Sequence, residues 1–261
     1  MFPPARIVCL TEETVETLYL LGEDARIVGV SGYAVRPPQV RREKPRVAAF
    51  ISADVPKILA LDPDLVLTFS DLQADIVAEL VRKGVAVHAF NQRTIAGILD
   101  MIRTLGALTG AVAKADTLAK SYEERLARMH ERASALTHKP RVYFEEWDDP
   151  QITGIGWVSE LIEIAGGRDV FAELRDRGNA RDRVVTPEQV LERDPQIMLA
   201  SWCGKPVDRG AIVTRPGWDR LSAVKADQIH EIAGEDVLSP GPSLLVGLRR
   251  IHEIIQVFVS G

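Results

Sequence analysis

Apolar residues return every three or four positions from Val112 to Leu136, at Val112, Ala115, Leu118, Tyr122, Leu126, Met129, Ala133 and Leu136. That spacing places them on one face of a single helix. No proline and no glycine interrupts residues 111–139, and Pro140 stops the pattern. At 1.5 Å per residue, about 26 helical residues reach roughly 39 Å, too long for a crossover helix inside one small α/β lobe. The pattern predicts a backbone helix over 111–139 that joins an N-terminal lobe, 1–110, to a C-terminal lobe, 140–261.

On either side, short continuous apolar runs alternate with helical stretches. Ile7–Leu10, Ile27–Ser31, Leu65–Phe69 and Val85–Phe90 read as strands, with helices over 12–21, 55–61, 72–83 and 94–108 between them. Unbroken apolar strands separated by helices indicate parallel sheets covered on both faces. The second half repeats this order. Asp62-Pro63, between an apolar helix and a buried strand, returns half the chain later as Asp194-Pro195 in the same setting. Arg6-Ile-Val-Cys-Leu-Thr-Glu12-Glu13 has its counterpart in Arg141-Val-Tyr-Phe-Glu145-Glu146-Trp147, each a strand ending in paired acids. In both halves a helix closing on glycine follows, and a strand and a long helix end the unit. Four matched elements in one order predict an α/β protein of two doubly wound, Rossmann-like lobes with parallel sheets, joined by one long helix. The basic run from Arg41 to Arg46, bracketed by prolines, reads as a solvated loop.

Composition narrows the function classes. The net charge of −5 gives no electrostatic support to nucleic-acid binding. No apolar run approaches the ~20 residues of a membrane helix. Two cysteines, Cys9 and Cys203, fall near strand ends in opposite lobes and are expected to be unpaired thiols. The first residues enter a strand almost at once, without a basic segment, an apolar core or a small-residue cleavage site. The chain reads either as cytoplasmic as written or as one whose signal has been cut away, and the cysteine usage leans to the first.

Ligands of doubly wound sheets bind outside the carboxyl ends of the strands. The residues placed there are Thr11, Glu12, Tyr33, Phe69, Ser70 and Asn91, with Glu145, Glu146, Trp147, Trp157, Trp202 and Cys203 in the second lobe. With a helical spine behind, the two sets are expected to face each other across a cleft. Only 6% of the residues are aromatic, yet aromatics recur at these positions. A flat, rigid ligand gains from such groups, although Trp and Phe at strand ends also serve to cap a core. Trp157, in Gly154-Ile-Gly-Trp, and Trp202, in Ser201-Trp-Cys-Gly, are the strongest candidates because glycine or polar residues flank them. No nucleophile elbow, phosphate-binding loop or dinucleotide fingerprint is present, and the five histidines lie singly, without metal-ligand spacing. No catalytic set emerges. Glu12, Glu13, Glu145 and Glu146 admit two readings: solvated acids at helix starts, or a convergent group that would hold a metal ion or a ferric chelate. Cys203 leaves open a third, an enzyme with a thiol nucleophile.

The segments RIVCLTEETVETLYLLG, IVGVSGY followed by RPP, ADVPKILALDPDLVLTF, ELIEIAGG, TPEQVLERDPQIMLASW and RPGWDRLSAVKADQIHEI resemble the helical-backbone substrate-binding proteins of ABC transporters. That group takes cobalamin, ferric siderophores and haem, and within it the cobalamin binders are most similar. The resemblance covers nearly the whole chain. It implies a corrinoid, cobalamin-like ligand rather than a catalytic cofactor, an ABC permease as partner, no enzyme activity, no membrane insertion and a monomer. It also implies that Tyr33, Phe50, Phe69 and Trp202 are the ring-bearing contacts, and that the lobes close little. The family docks through an acidic residue at the tip of each lobe. Those positions hold Ala74, flanked by Asp71 and Asp75, and Leu238, preceded by Glu235 and Asp236, so docking is expected to use these neighbours. The family is periplasmic, which the N-terminus as written does not match.

Overall fold

The apolar runs become the strands of two separate sheets. The computed structural model describes residues 2–261. The chain forms two units, one of residues up to Gln92 with Ala96–Tyr122, the other of Arg93–Ile95 with Glu123–Gly261.

The first unit contains β1 (Ile7–Cys9), α1 (Glu12–Leu21), β2 (Ile27–Ser31), α2 (Val40–Glu43), β3 (Arg46–Ala48), α3 (Val55–Ala60), β4 (Leu65–Phe69), α4 (Ala74–Arg82) and β5 (Val87–Phe90), and most of α5 (Ile95–Thr109). Its five strands run parallel in the order β3-β2-β1-β4-β5. β1 and β4 are wholly buried, and Val8, Leu10, Ile58, Val66 and Leu80 form part of the core. Local signals start the helices. Asp54 accepts a hydrogen bond from the Lys57 amide at 3.0 Å, and Ser70 one from the Leu72 amide at 3.2 Å. The basic run is not a loop. It supplies α2 and the edge strand β3, held because Val40 and Val47 are buried and Ala48 accepts a hydrogen bond from the Gly32 amide. So short an edge strand, carrying the exposed charge of Arg46, is a usual way to guard a sheet edge.

The connecting helix α6 (Val112–Ser134) has 23 residues, roughly 35 Å of axis. Ala115, Tyr122, Leu126 and Ala133 are buried along the anticipated face, joined by Ala119, whereas Val112 at the helix start is 53% exposed. The division between the units falls within it, after Tyr122. Gly106 of α5 lets α6 approach closely, since a methyl group there would lie 2.2 Å from Cβ of Ala115.

The second unit contains β6 (Arg141–Asp148), β7 (Gln151–Thr153), α7 (Gly156–Ile164), β8 (Arg168–Asp169), α8 (Pro187–Arg193), β9 (Ile197–Ala200), α9 (Arg209–Val213), α10 (Ser222–Lys225), β10 (Ile229–Glu231), α11 (Gly234–Val237) and α12 (Leu244–Ser260). Its sheet has the order β10-β9-β6-β7, with β8 also on β6. It is parallel except for β7, which pairs antiparallel with β6. This departs from the expected all-parallel sheet. Only Asp149 and Pro150 separate the two strands, and so short a connection can join only antiparallel neighbours.

The two units repeat each other in detail. Asp62 and Asp194 both take left-handed backbone angles, φ 46° and 43°, which aspartate tolerates better than most residues. Arg6 donates from Nε to the carbonyls of Leu61 and Asp62, and Arg141 donates likewise to those of Arg193 and Asp194. The main-chain amide of each arginine is in turn received by the side chain two residues beyond the aspartate, Asp64 in one unit and Gln196 in the other. Each unit thus locks its first strand to its Asp-Pro turn by the same device.

Candidate functional site

In the first unit the carboxyl ends of the strands are tied together by Gln73, a residue the sequence pattern did not single out. Its buried carboxamide donates to the carbonyls of Phe50 (2.7 Å) and Leu10 (3.3 Å) and accepts from the amide of Phe69 (3.0 Å). One side chain therefore fixes two of the aromatic candidates, Phe50 and Phe69, at the ends of neighbouring segments. Phe50 is half-buried and Phe69 buried, whereas Tyr33, after β2, is 49% exposed and available to a partner. Thr11, at the start of α1, makes no side-chain cap to the helix and donates its hydroxyl to Oε1 of Glu13 at 2.5 Å. Burial pushes the Glu13 carboxyl up to about 8, so it is largely protonated at neutral pH.

The second unit holds a denser cluster. The Glu145 side chain, within β6 where the strand is paired to both β9 and β7, is fully buried, with 0% exposure. Arg215 clamps it with both terminal nitrogens, at 2.6 and 3.0 Å, and the Trp202 indole and Tyr143 hydroxyl each donate to it at 3.1 Å. Burial raises the Glu145 carboxyl pKa, while the Arg215 guanidinium works against that. The Arg215 guanidinium also lies 4.5 Å from the Trp218 ring centre. Next to this clamp the Lys205 ammonium sits 4.3 Å from the Trp147 ring and 4.9 Å from the Trp202 ring, paired with Asp148 at 2.6 Å. A cation between two indoles gains from both ring quadrupoles. The strand pairing skips from Glu145–Thr153 to Trp147–Ile152, leaving Glu146 as a bulge residue. Bulges of this kind re-aim side chains at functional edges. Glu146 is held separately by Arg183, an arginine with 1% exposure, at 2.7 and 3.1 Å.

These pairings correct the metal reading. Glu145 and Glu146 are each consumed by an arginine and Glu13 is held by Thr11, while Glu12 is half-buried at the start of α1. Among the described residues no group of three or more His, Cys, Asp or Glu side chains could hold a metal ion. Trp157 is corrected as well. Its indole is 2% exposed and donates to the Val237 carbonyl at 2.7 Å, a core contact made inside the unit. The glycines beside it serve close packing, since a methyl at Gly156 would lie 2.5 Å from the Arg93 carbonyl oxygen.

Beside the clamp a cavity of about 480 Å³ opens, walled by Asp148, Asp149, Gln151, Thr186, Arg215 and Pro216 among others. The site of the second unit is thus an anchored ion pair and an adjoining polar recess, with half-buried Trp147 at its surface and Trp202, 5% exposed, packed into the core beneath.

Comparison with known proteins places this geometry in a family. The family described as periplasmic binding protein matches residues 7–235. The chain belongs to the periplasmic binding protein family. This periplasmic binding protein is 26% identical to the uncharacterized ABC transporter substrate-binding lipoprotein YvrC of Bacillus subtilis, over 97% of this chain and 80% of the relative. It is 26% identical to the vitamin B12-binding protein of Vibrio cholerae, over 98% of this chain and 91% of the other. The crystal structure of the Vibrio cholerae periplasmic vitamin B12 binding protein superposes with a TM-score of 0.77 at 26% identity, covering 98% of each chain. The periplasmic heme-binding protein RhuT from Roseiflexus shares the fold at 22% identity and a TM-score of 0.79, covering 96% of this chain and 99% of that one.

Membership overturns the lean toward the cytoplasm, because the family is one of periplasmic binding proteins and its relatives include a lipoprotein. The family serves transport rather than catalysis. Cys9 and Cys203 form no disulfide. Cys9 is buried and its thiol is pushed up to about 12 by burial, while Cys203 lies exposed in the loop after Trp202. The acids expected near the tips lie at helix starts. Asp71 opens the short turn before α4 and Asp75 its first turn, and Glu235 and Asp236 stand in the first turn of α11. The helix dipole favours acids there. No described helix is long and apolar enough to cross a membrane.

Proposed function

We propose that this periplasmic binding protein captures a corrinoid of the cobalamin type outside the cytoplasmic membrane and delivers it to an ABC permease. The observation that carries the reading is the pairing of Trp147 and Trp202 around Lys205, next to the buried Glu145–Arg215 clamp. The clamp holds Trp202 through its indole N–H, so the ring is oriented before a ligand arrives. Preorganised aromatic faces bind a rigid macrocycle at small entropic cost. Tyr33 and Phe50 of the first unit offer further ring faces to a ligand, buried Phe69 supports them, and Asp71, Asp75, Glu235 and Asp236 meet the permease. The vitamin B12-binding relatives support the ligand class.

A second reading, a haem or ferric chelate, is favoured by Lys205 and Arg215, whose cations could exchange Asp148 and Glu145 for anionic groups of the ligand.

The test is absorption titration of the purified protein with cyanocobalamin, dicyanocobinamide, haemin and a ferric hydroxamate. The corrinoids are expected to bind with dissociation constants of about 1 μM or tighter, and Trp202→Ala and Tyr33→Ala to weaken them roughly tenfold or more. Unchanged affinity in both variants discards this site. Tight binding of haemin or the hydroxamate, with no corrinoid spectrum shift, selects the second reading.

A further inference from the structure

The cavity beside the clamp has an acceptor-rich wall that ring stacking leaves unused. Gln151, on β7, is 6% exposed, and its buried Oε1 has no hydrogen-bond partner. Its main-chain carbonyl is already taken by the Val185 amide at 2.9 Å, so the side chain is the unsatisfied group. Asp148 and Asp149 flank it on the turn between β6 and β7, and all three line the cavity. The positive charges nearby are spent: Lys205 on Asp148, and Arg215, through both terminal nitrogens, on Glu145. The Thr186 hydroxyl, on the same wall, is committed as well: it accepts from the Gln189 amide at 3.3 Å and bonds the Glu188 carboxylate.

A buried, unpaired carbonyl oxygen costs free energy that a ligand donor would recover. A carboxylate entering here would face two carboxylates and that oxygen, with no uncommitted cation to meet it. A primary carboxamide fits instead. Its N–H groups can donate to the Gln151 oxygen and to Asp149, and it brings no negative charge against the two aspartates. We infer that this cavity is a subsite for carboxamide arms on the ligand's periphery, and that it selects amide-bearing macrocycles over those bearing carboxylates. The inference rests on the corrinoid reading and sharpens it, since corrinoids carry amide arms around the ring whereas haem carries two carboxylates.

The experiment titrates the full chain with dicyanocobinamide and with dicyanocobyrinic acid, in which carboxylates replace the amides. The wild type is expected to bind the amide form at least about tenfold more tightly. Gln151→Leu is expected to weaken the amide form and leave the acid form unchanged. Asp149→Asn, on an exposed turn clear of the core, is expected to strengthen the acid form, and it keeps the test open should Gln151→Leu fail to fold. Equal affinity of the wild type for both corrinoids overturns the subsite while leaving the corrinoid reading intact. A preference unchanged in both variants also overturns it. Binding of neither corrinoid overturns the corrinoid reading, and the subsite falls with it.

Discussion

Arg215→Ala removes the guanidinium that both oxygens of Glu145 face, at 2.6 and 3.0 Å. The carboxylate left behind is fully buried and keeps only the Trp202 and Tyr143 donors. Stripping one partner from a buried ion pair costs about 3–5 kcal/mol, and the two remaining donors place this site near 3. For a chain of this size that lowers the melting temperature by roughly 6–12 °C. The loss must depend on pH, and its sign is determined. Burial already raises the folded-state pKa of Glu145, and losing Arg215, which lowers it, raises it further. The unfolded value stays near 4.3. The protonated form is then the one the folded state prefers, so the variant's deficit is small near pH 5 and grows as pH rises through the folded pKa. Thermal unfolding followed by circular dichroism at pH 5 and pH 8 measures both effects. Arg215→Met combined with Glu145→Gln removes both charges together and should recover most of the loss, because a neutral pair leaves no bare ion. A shift below about 2 °C at pH 8, an equal shift at both pH values, or no recovery in the double variant would refute the account of the clamp.

Two further outcomes follow from buried groups of the first unit. Glu13, with its carboxyl pKa at about 8, contributes stability that is full below about pH 4.5 and lost as pH rises through 8. Glu13→Gln should flatten that decline, a difference on the order of 3 kcal/mol between pH 5 and pH 9, and parallel stability curves for the two proteins would count against a buried neutral acid. Gln73→Leu leaves two carbonyls and the Phe69 amide without their partner, at a cost of about 2–4 kcal/mol. The same change should speed hydrogen exchange at the Phe69 amide and loosen ligand binding several-fold, and an unchanged exchange rate there would deny Gln73 its role as the tie between strand ends.

Much of the candidate site was open to a reader of the chain alone, but unevenly. Trp202, Trp147 and Tyr33 were legible as strand-end aromatics, because the apolar runs of β6, β9 and β2 show where each strand stops. Trp157 met the same criterion and is a core residue, since its neighbours Gly154 and Gly156 signal tight packing as readily as a mobile loop. The paired glutamates were visible, but their meaning was not. Arg215 lies 70 residues from Glu145 and Arg183 lies 37 from Glu146, two among 32 lysines and arginines with no local mark. Gln73 is 63 residues from Leu10 and 23 from Phe50, and only a faint signal, a polar residue at the opening of α4, could have found it.

Backbone conformation in this protein follows from short-range rules, and those rules are written in the residues themselves: the apolar period of α6, the caps at Asp54 and Ser70, and the Asp-Pro turns matched in both units. Each depends on side chains within a few positions, so the amino-acid order alone determines it. Charge partners, the direction of β7, and which aromatics stay accessible depend on which distant segments meet, and burial then decides whether a carboxylate acts as a ligand or as the fastening of an indole. That choice is made by desolvation, and desolvation exists only once the chain has folded.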